Sequence, residues 1–452
     1  MPVNRRSFIL AGTALAGAAL MPGASHADTG GLAKWAEAIK ARHGGASIRL
    51  LGISHPASDA MKAMADEFQQ ATGIKVEWEI VGSGEIMSKQ FLAQTAGESF
   101  YDVYMVKGTA LAEYDAKHVL ADLGDRLSAT QAALPDYDFD DIHIAYRGGL
   151  GVIDGRTIAI PLAGETFFVS YRKDLFEKYG RTPPRTMDEL LDCAKFFHEK
   201  EPGLYGIAMR AETGRTLALT WDLFNPAFGA DILDQKTWDV KVDTPQTARS
   251  LNYLLELLSY GPPDIETYSW DAAVSAYASG RTAMWFDATS LQSWLVDPEK
   301  SKVVGKIGYV PPPSGPEGRF GPVGGWSLGL PSTGRQQDAG WAFVVWMTSK
   351  AKAMESFKKG GVPSRLSVLQ NPEFANADPE FAAALKESLD AAGNLIATGR
   401  RWIPATPEAT RIDKVAGYWA GQALLKQMSV EEALKAAVPE LQEISDKIKS
   451  AK

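Results

Sequence analysis

The chain has 452 residues, of which 45% are hydrophobic and 23% charged, a composition that excludes disorder as its main state. Asp and Glu outnumber Lys and Arg by 55 to 47, which argues against non-specific nucleic-acid binding, because that needs a basic surplus. The one cysteine, Cys193, excludes an internal disulfide and a cysteine cluster that holds zinc or iron–sulfur. At roughly one domain per 150 residues, the chain is long enough for two large lobes.

The N-terminus has the pattern of a secretory signal peptide. Arg5 and Arg6 precede an uncharged stretch from Phe8 to Met21, and small residues stand at Ser25 and Ala27. A charged start, a short apolar middle and a small-residue exit are typical of such signals, and the two arginines resemble the twin-arginine export motif. We expect residues 1–27 to be removed and the protein to reach the periplasm. No apolar run is long enough to span a bilayer, so no membrane insertion is expected.

Strands and helices alternate through the first third of the chain. The patterns predict strands at Ser47–Ile53, Ile74–Ile80, Tyr101–Val106 and Thr157–Pro161, and helices between Asp59 and Ala71 and at Leu111–Lys117. The first helix should end at Gly73, because glycine suits a left-handed cap. Strand, helix and strand at this spacing form parallel crossover units. The sequence therefore predicts an α/β fold.

Later in the chain, local signals mark two helix starts and one loop. Thr186 with Glu189 and Ser429 with Glu432 fit the capping-box pattern. Proline and glycine are concentrated between Tyr309 and Pro331, which predicts a surface loop that crosses between lobes.

Motifs for catalysis and metal binding fail on their spacing. Ser327 lies in a Gly-x-Ser-x-Gly pattern, but all six histidines precede it, whereas the hydrolase fold with that motif places its histidine afterwards. The acidic run from Asp136 to Asp141 lacks the glycine and glutamate of a calcium loop, which favours a solvated acidic loop. No histidine pair suits zinc, and the turn 82–84 lacks the third glycine of a dinucleotide site. We expect no catalytic residue, no metal and no cofactor.

Tryptophan is abundant, with 12 in the chain. Several stand beside polar residues in loop-like segments, namely Trp221, Trp270, Trp285, Trp326 and Trp402. A carbohydrate site needs flat aromatic surfaces together with hydrogen-bonding side chains. This pattern favours a sugar site, while any single tryptophan more often fills a core.

A series of phrases in a fixed order carries a family resemblance. The phrases are Glu67 to Val76, Tyr101 to Val103, Val119 to Leu123, Asp154 to Pro161, Val169 to Phe176, Ala278 to Met284 and Gly324 to Ser327. In this order they resemble the extracellular solute-binding proteins that include maltose-binding proteins, the receptors of ABC importers. The resemblance implies a type II-like periplasmic-binding-protein fold with two hinge-connected α/β lobes. The implied lobes are 28–162 plus 327–360 and 163–326 plus 361–452.

The same resemblance implies a set of ligand-binding residues. Open α/β sheets bind ligands at the carboxyl ends of their strands, so the residues that follow strands are the candidates, together with a carboxylate at the hinge. The implied set is His55, Ser83, Glu85, Lys107, Glu165, Trp221, Asn225, Trp285, Asp287, Trp326, Arg365 and Arg411.

The implied function is transport. A sugar, polyol or small glycoside would bind between the lobes and pass to the permease subunits of an ABC transporter, with the receptor acting as a monomer. Arg365, Arg411, Lys107 and His55 together suggest an anionic sugar derivative, because arginine holds carboxylates and phosphates in a fork.

The alternative is an exported glycosidase. Such an enzyme uses two carboxylates in an aromatic-lined cleft. Glu165 and Asp287 are the candidate pair, and the sequence leaves this alternative open.

Overall fold

A computed structural model describes residues 29–97 and 100–451 of the chain. The expected signal peptide lies outside these residues. The helices are α1 (Thr29–His43), α2 (Pro56–Thr72), α3 (Ile86–Thr95), α4 (Leu111–Ala116), α5 (Gly124–Ala133), α6 (Ile144–Leu150), α7 (Lys173–Lys178), α8 (Met187–Phe197), α9 (Arg215–Trp221), α10 (Pro245–Leu258), α11 (Trp270–Ala278), α12 (Gln292–Leu295), α13 (Gln337–Thr348), α14 (Lys350–Lys358), α15 (Leu366–Leu369), α16 (Pro372–Ala377), α17 (Pro379–Ala397), α18 (Ala409–Leu424) and α19 (Val430–Ser450). The strands are β1 (Ser47–Ile53), β2 (Lys75–Val81), β3 (Val103–Lys107), β4 (Val152–Ile153), β5 (Arg156–Thr157), β6 (Ile160–Glu165), β7 (Phe167–Arg172), β8 (Tyr205–Ala208), β9 (Thr282–Ala288), β10 (Ile307–Val310) and β11 (Gly324–Gly329).

Two sheets define two lobes. The first lobe is built on a five-stranded sheet in the order β2-β1-β3-β11-β6, in which β1 runs parallel to β2 and β3, and β11 runs antiparallel to β3 and β6. Helices α2 and α13 cover it, with the rings of Phe68 and Phe343 5.3 Å apart. The second lobe is built on a four-stranded sheet in the order β10-β7-β9-β8, and Phe168 packs against Tyr309 in its core.

Local sequence signals placed the early elements correctly. Strand β1 has the predicted bounds, and Gly73 ends α2 with a φ of 71°. Both capping boxes are confirmed, at Thr186 for α8 and at Ser429 for α19. The strand predicted at Thr157–Pro161 is shifted, because a short β4–β5 hairpin occupies its beginning and β6 runs from Ile160 to Glu165.

The prediction of a surface loop between Tyr309 and Pro331 is wrong for its last third. Gly324–Gly329 is strand β11, and all six of its residues are buried. At Gly325, where φ is +131°, an added Cβ would lie 2.1 Å from the carbonyl oxygen of Ala163. Glycine is typical of loops, but Gly325 instead allows β11 to pair closely with β6, a strand about 160 residues earlier in the chain.

The chain passes between the sheets at positions that differ slightly from those expected. Strands β6 and β11 belong entirely to the first sheet, so the passages lie after Glu165 and before Gly324. The amide of His143 donates to the carbonyl of Ser364 over 2.9 Å, which ties the segment after α14 to the first lobe. We propose that the first lobe comprises 29–165 and 324–365, and the second lobe 166–323 and 366–451.

Candidate ligand-binding site

A cavity of about 760 Å³ lies between the two lobes. The carboxyl ends of β1, β3 and β6 border it from the first lobe, and β9 and the segment after β8 border it from the second. Among the residues implied by the family resemblance, those that line this cleft are His55, Ser83, Glu85, Lys107, Glu165, Asp287 and Trp326. The residues at the ends of strands therefore lie together along one edge of the cavity.

His55 and Glu165 form a buried pair at the base of the cleft. Nδ1 of His55 accepts the backbone N–H of Ala57 over 3.1 Å and caps α2. Because Nδ1 accepts, Nε2 carries the proton and donates to Oε1 of Glu165 over 2.8 Å. This fixes the orientation of a carboxylate at the last residue of β6, beside the passage between the lobes.

Arg210 and Asp287 form a two-bond fork in the second lobe. Nε and NH2 of Arg210 donate to the two carboxylate oxygens of Asp287 over 2.6 and 2.8 Å, and the amide of Ala288 donates to Oδ1. Burial raises the pKa of Asp287, and the Arg210 charge opposes that rise. Sequence reasoning missed Arg210, although it follows β8, which runs parallel to β9.

A second arginine–aspartate pair lies nearby. Nε of Arg215, the first residue of α9, donates to Asp413 over 3.2 Å. NH1 of Arg215 lies 3.6 Å from the sulfur of Met87, which belongs to the first lobe. Within the described residues, NH2 of Arg215 is buried with no hydrogen-bond partner. The sequence gave no local signal for this pair, because its members are 198 residues apart.

Lys107 faces these arginines from the first lobe. It is the last residue of β3 and pairs in register with Trp326 of β11. Burial lowers the pKa of Lys107 well below its ordinary value, and the charges of Arg215 and Arg210 lower it further. Within the part of the chain that the structure describes, the ammonium group has no carboxylate at ion-pair distance.

Aromatic rings complete the cleft from both lobes. The ring of His55 lies 6.2 Å from Trp326 of the first lobe and 6.3 Å from Trp270 of the second. Trp402 also lines the cavity and packs edge-on against Phe167, with 4.8 Å between ring centroids. Aromatic faces beside fixed carboxylate and guanidinium groups provide what a polyhydroxylated ligand needs.

Comparison with known proteins identifies the family. The sequence pattern of the bacterial extracellular solute-binding proteins matches residues 53–354, which is more than half of the chain. The chain belongs to this family. The two-lobed fold expected from the family resemblance is confirmed by solved structures of such receptors.

Individual relatives are receptors of ABC transporters. A mannitol-binding protein of Pseudomonas aeruginosa is 30% identical over 67% of this chain and 72% of its own length. A probable amino-acid ABC transporter periplasmic-binding protein of Sinorhizobium fredii is 28% identical over 85% of this chain and 86% of its own. A solute-binding protein of Agrobacterium radiobacter, solved with ribitol, has a TM-score of 0.81 at 25% identity and covers 89% of this chain and 99% of its own.

Two tryptophans implied as ligand contacts lie in the core of the second lobe instead. Trp221 is fully buried, because it lies six positions after Arg215 on α9 and points about 240° away around the helix. Trp285 is also fully buried and stacks on Tyr277, since it lies three positions before the end of β9, about 10 Å from the carboxyl end of the strand.

Asn225 also turns away from the cleft of this solute-binding protein. Its amide nitrogen donates to Asp222 over 2.7 Å, and its oxygen accepts from Ser250 over 2.7 Å. Both partners belong to the second lobe, so Asn225 ties the segment after α9 to α10. Asn225 does not line the cavity.

Arg365 is buried beneath the acidic run and not in the cleft. Its Nε donates to the carbonyl of Thr348 over 2.8 Å and its NH1 to the carbonyl of Asp138 over 2.7 Å. Asp141 accepts from the hydroxyl of Ser367 over 2.6 Å and is itself buried. The acidic run is therefore not simply a solvated loop, because Asp141 joins it to the segment after α14.

Arg411 lies on the outside of the second lobe. It donates to Glu443 of α19 over 2.7 Å. Asp413 lies two positions after Arg411 on α18, about 200° around the helix. It is buried and accepts a hydrogen bond from Arg215. Helix α18 borders the cleft through Thr410 and Lys414, whereas Arg411 does not line the cavity.

Ser327 has no geometry for catalysis. It stands in the middle of β11, fully buried, and donates to the carbonyl of Leu150 over 2.5 Å. A nucleophile elbow needs an exposed serine on a strand-to-helix turn. Within residues 29–97 and 100–451, no group of three acidic, histidine or cysteine residues is placed to hold a metal ion, and no helix is long and apolar enough to cross a bilayer.

A second cavity, of about 570 Å³, also lies between the lobes. It shares Thr109 and Trp402 with the ligand cleft, but aliphatic, glycine and alanine residues form most of its wall. Such a surface offers few partners for hydroxyl groups, so the polar cleft is the better candidate for the solute.

Hydrogen bonds join the two lobes directly. Asp59 of α2 accepts from the indole N–H of Trp294 over 3.2 Å and from Lys300 over 2.5 Å. Between two residues that line the cleft, the hydroxyl of Thr410 donates to Glu113 over 2.6 Å. These contacts require the lobes to be close together, as they are in this structure.

We expect Asp59→Asn to speed ligand release about threefold, because a partly exposed ion pair contributes roughly 0.2–1 kcal/mol. Stopped-flow fluorescence would measure the release rate, and Asp66→Asn, an exposed position on the same helix, is the matched control. An unchanged rate for Asp59→Asn would show that this contact does not hold the lobes together.

Proposed function

We propose that this solute-binding protein captures a sugar or polyol in the interlobe cleft and delivers it to the permease subunits of an ABC transporter. The observation that carries the proposal is the placement of the Arg210–Asp287 fork and the His55–Glu165 pair around one cavity with Trp326. A mannitol-binding relative and a structure solved with ribitol support it.

The chemistry of the cleft suits hydroxyl groups. A hydroxyl both donates and accepts hydrogen bonds, so it pairs best with a surface that offers guanidinium donors beside carboxylate acceptors. Arg210 and Asp287 provide both within one fork, and Trp326 and Trp402 provide apolar faces for the C–H groups between hydroxyls. Fixed side chains of this kind bind with little further loss of conformational freedom.

Transport would work by closure of the lobes. Residues from both lobes line the cavity, so a ligand contacts all of them only when the lobes are closed. A ligand shifts an equilibrium by its difference in affinity between the states, and here that difference favours the closed state. We propose that the closed receptor acts as a monomer in the periplasm, after export directed by residues 1–27 through the twin-arginine route.

The arrangement favours a receptor over a glycosidase, as the family does. Glycosidases need one carboxyl group that protonates the leaving oxygen and one that attacks or activates water. Here Glu165 accepts from His55, and both oxygens of Asp287 accept from Arg210. Because the Arg210 fork occupies both oxygens of Asp287, we propose that this carboxylate does not act on a glycosidic bond and that the protein performs no covalent chemistry.

The decisive experiment is a thermal-shift screen against sugars, polyols, glycosides and amino acids, followed by recovery of the ligand. A ligand at 100 times its dissociation constant should add about 2.7 kcal/mol of stability, and chromatography should recover it unchanged. Stabilisation by amino acids alone, or conversion of the ligand into a product, would contradict the proposal.

The matching substitution is Trp326→Ala. It should weaken binding of the best polyol about 30-fold, the loss typical of a central aromatic contact. Trp419→Ala is the control, because Trp419 lies on α18 and bonds Glu440 outside the cleft. Titration calorimetry on both variants measures the difference, and equal affinities would show that Trp326 does not contact the solute.

A further inference from the structure

Three cationic side chains converge in one corner of the cleft. Lys107 enters from the first lobe, and Arg210 and Arg215 enter from the second. Among the charges around Lys107, the two arginines act on it more strongly than Asp413 and Glu165. Arg210 and Arg215 are each paired with an aspartate, so within the described residues Lys107 is the cation of this corner that has no carboxylate at ion-pair distance.

Among the described residues, this corner holds polar groups without hydrogen-bond partners, including one buried oxygen of Asp413. Arg210 uses Nε and NH2 on Asp287, and Arg215 uses Nε on Asp413. Within the described part of the chain, the Lys107 ammonium has no hydrogen-bond acceptor, and NH2 of Arg215 is buried without one. A buried donor without an acceptor costs free energy, so a bound solute that brings acceptors is favoured here.

Burial and the two guanidinium groups lower the pKa of Lys107 well below its ordinary value. The lowered pKa means that the protein does not compensate the lysine charge in the absence of ligand. A negatively charged group of the solute would supply that compensation. A neutral hydroxyl would accept from the ammonium group but would leave its charge uncompensated.

We propose that the solute is a sugar acid whose carboxylate binds Lys107 and Arg215, while its hydroxyls meet the Arg210–Asp287 fork. This inference rests on the proposed function and narrows its substrate class. The sequence suggested Arg365, Arg411, Lys107 and His55 as the residues that would bind an anionic ligand. Arg365 and Arg411 lie outside the cleft, and we propose Arg210 and Arg215 in their place.

Matched pairs of probes test the inference directly. Titration calorimetry would compare D-mannitol with D-mannonate, ribitol with D-ribonate, D-glucitol with D-gluconate, and D-glucose with D-glucuronate. For the pair that binds best, the acid should bind at least about tenfold tighter than its neutral partner, because charge-assisted hydrogen bonds are the stronger kind. Added salt should weaken the acid more than the neutral compound.

The substitution Lys107→Met removes the charge of the lysine and keeps a side chain of similar length, so it tests the contribution of that charge to binding. It should weaken binding of the acid about 30-fold or more, the loss expected when one partner of a charged pair is removed, and this loss should exceed that of the neutral partner at least about tenfold. Lys75→Met is the control, because Lys75 is exposed on β2 of the same sheet and outside the cleft. The melting temperature of each ligand-free variant would verify its fold.

The outcomes are distinguishable. A neutral compound that binds as tightly as its acid, or an equal loss for both compounds in Lys107→Met, would overturn the sugar-acid inference and leave the proposed function standing. No binding by any compound of the panel would overturn both.

Discussion

Replacing Arg210 by methionine should lower the free energy of unfolding by about 3–5 kcal/mol, the cost of leaving a buried carboxylate without its partner. Asp287 is 1% exposed and has both oxygens in the fork with Arg210. Urea denaturation would measure the loss. Titration calorimetry should find solute binding weakened about 100-fold. The substitution removes the guanidinium group of Arg210 and also releases Asp287 from its fixed orientation.

The pH dependence of this loss has a definite sign. Burial raises the pKa of Asp287 above its ordinary value, and without Arg210 the rise should be larger. A carboxyl group with a raised folded-state pKa destabilises the fold progressively as pH increases from its unfolded value through its folded value. The Arg210→Met variant should therefore lose more stability at about pH 8 than at about pH 5.

The double variant Arg210→Met with Asp287→Leu is the control. It replaces the buried ion pair by apolar groups, and such replacements are often neutral or stabilising. Stability should return to within about 1 kcal/mol of the original protein, whereas solute binding should remain lost. A double variant as unstable as Arg210→Met alone would show that the charge of Asp287 is not the cause.

Replacing Gly325 by alanine should cost about 3 kcal/mol or more, because steric overlap adds to backbone strain. The residue has a φ of +131°, and the new Cβ would lie 2.1 Å from the carbonyl oxygen of Ala163 on β6. Strand β11 would have to move away from β6, and Trp326 and the passage between the lobes would move with it. Both the melting temperature and solute affinity should fall.

Gly148→Ala is the matched control for this prediction. Gly148 lies in α6, and an added Cβ there would meet nothing within 4 Å. Because alanine reduces the freedom of the unfolded chain, that variant should be neutral or gain about 0.4–1 kcal/mol. Equal melting temperatures for the two variants would show that Gly325 is not needed for the close approach of β11 and β6.

The predictions of fold and function from the sequence came mainly from the family resemblance. It gave the two-lobed fold and the receptor class, which the matching family and the solved structures confirm. For individual residues the structure shows only placement. Trp221 is buried in the second lobe and Arg411 bonds Glu443 on its outside, because side chains two or six positions apart on a helix point in different directions.

The amino-acid sequence by itself determined the features that depend on neighbours along the chain. The strand pattern of β1, the glycine that ends α2 and the two capping boxes are set by hydrogen bonds and backbone angles within a few residues. The sequence also placed His55 and Lys107 at one edge of the site, because the carboxyl ends of parallel strands meet there.

Only the tertiary structure decided which charges meet. Arg210 pairs with Asp287 across 77 residues and Arg215 with Asp413 across 198, and such pairs form only when the second lobe, which contains all four residues, has folded. Packing likewise decided that Trp221 fills a core while Trp326 lines the cleft. The reason is that burial and ion pairing depend on distances through space, whereas sequence patterns report only distances along the chain.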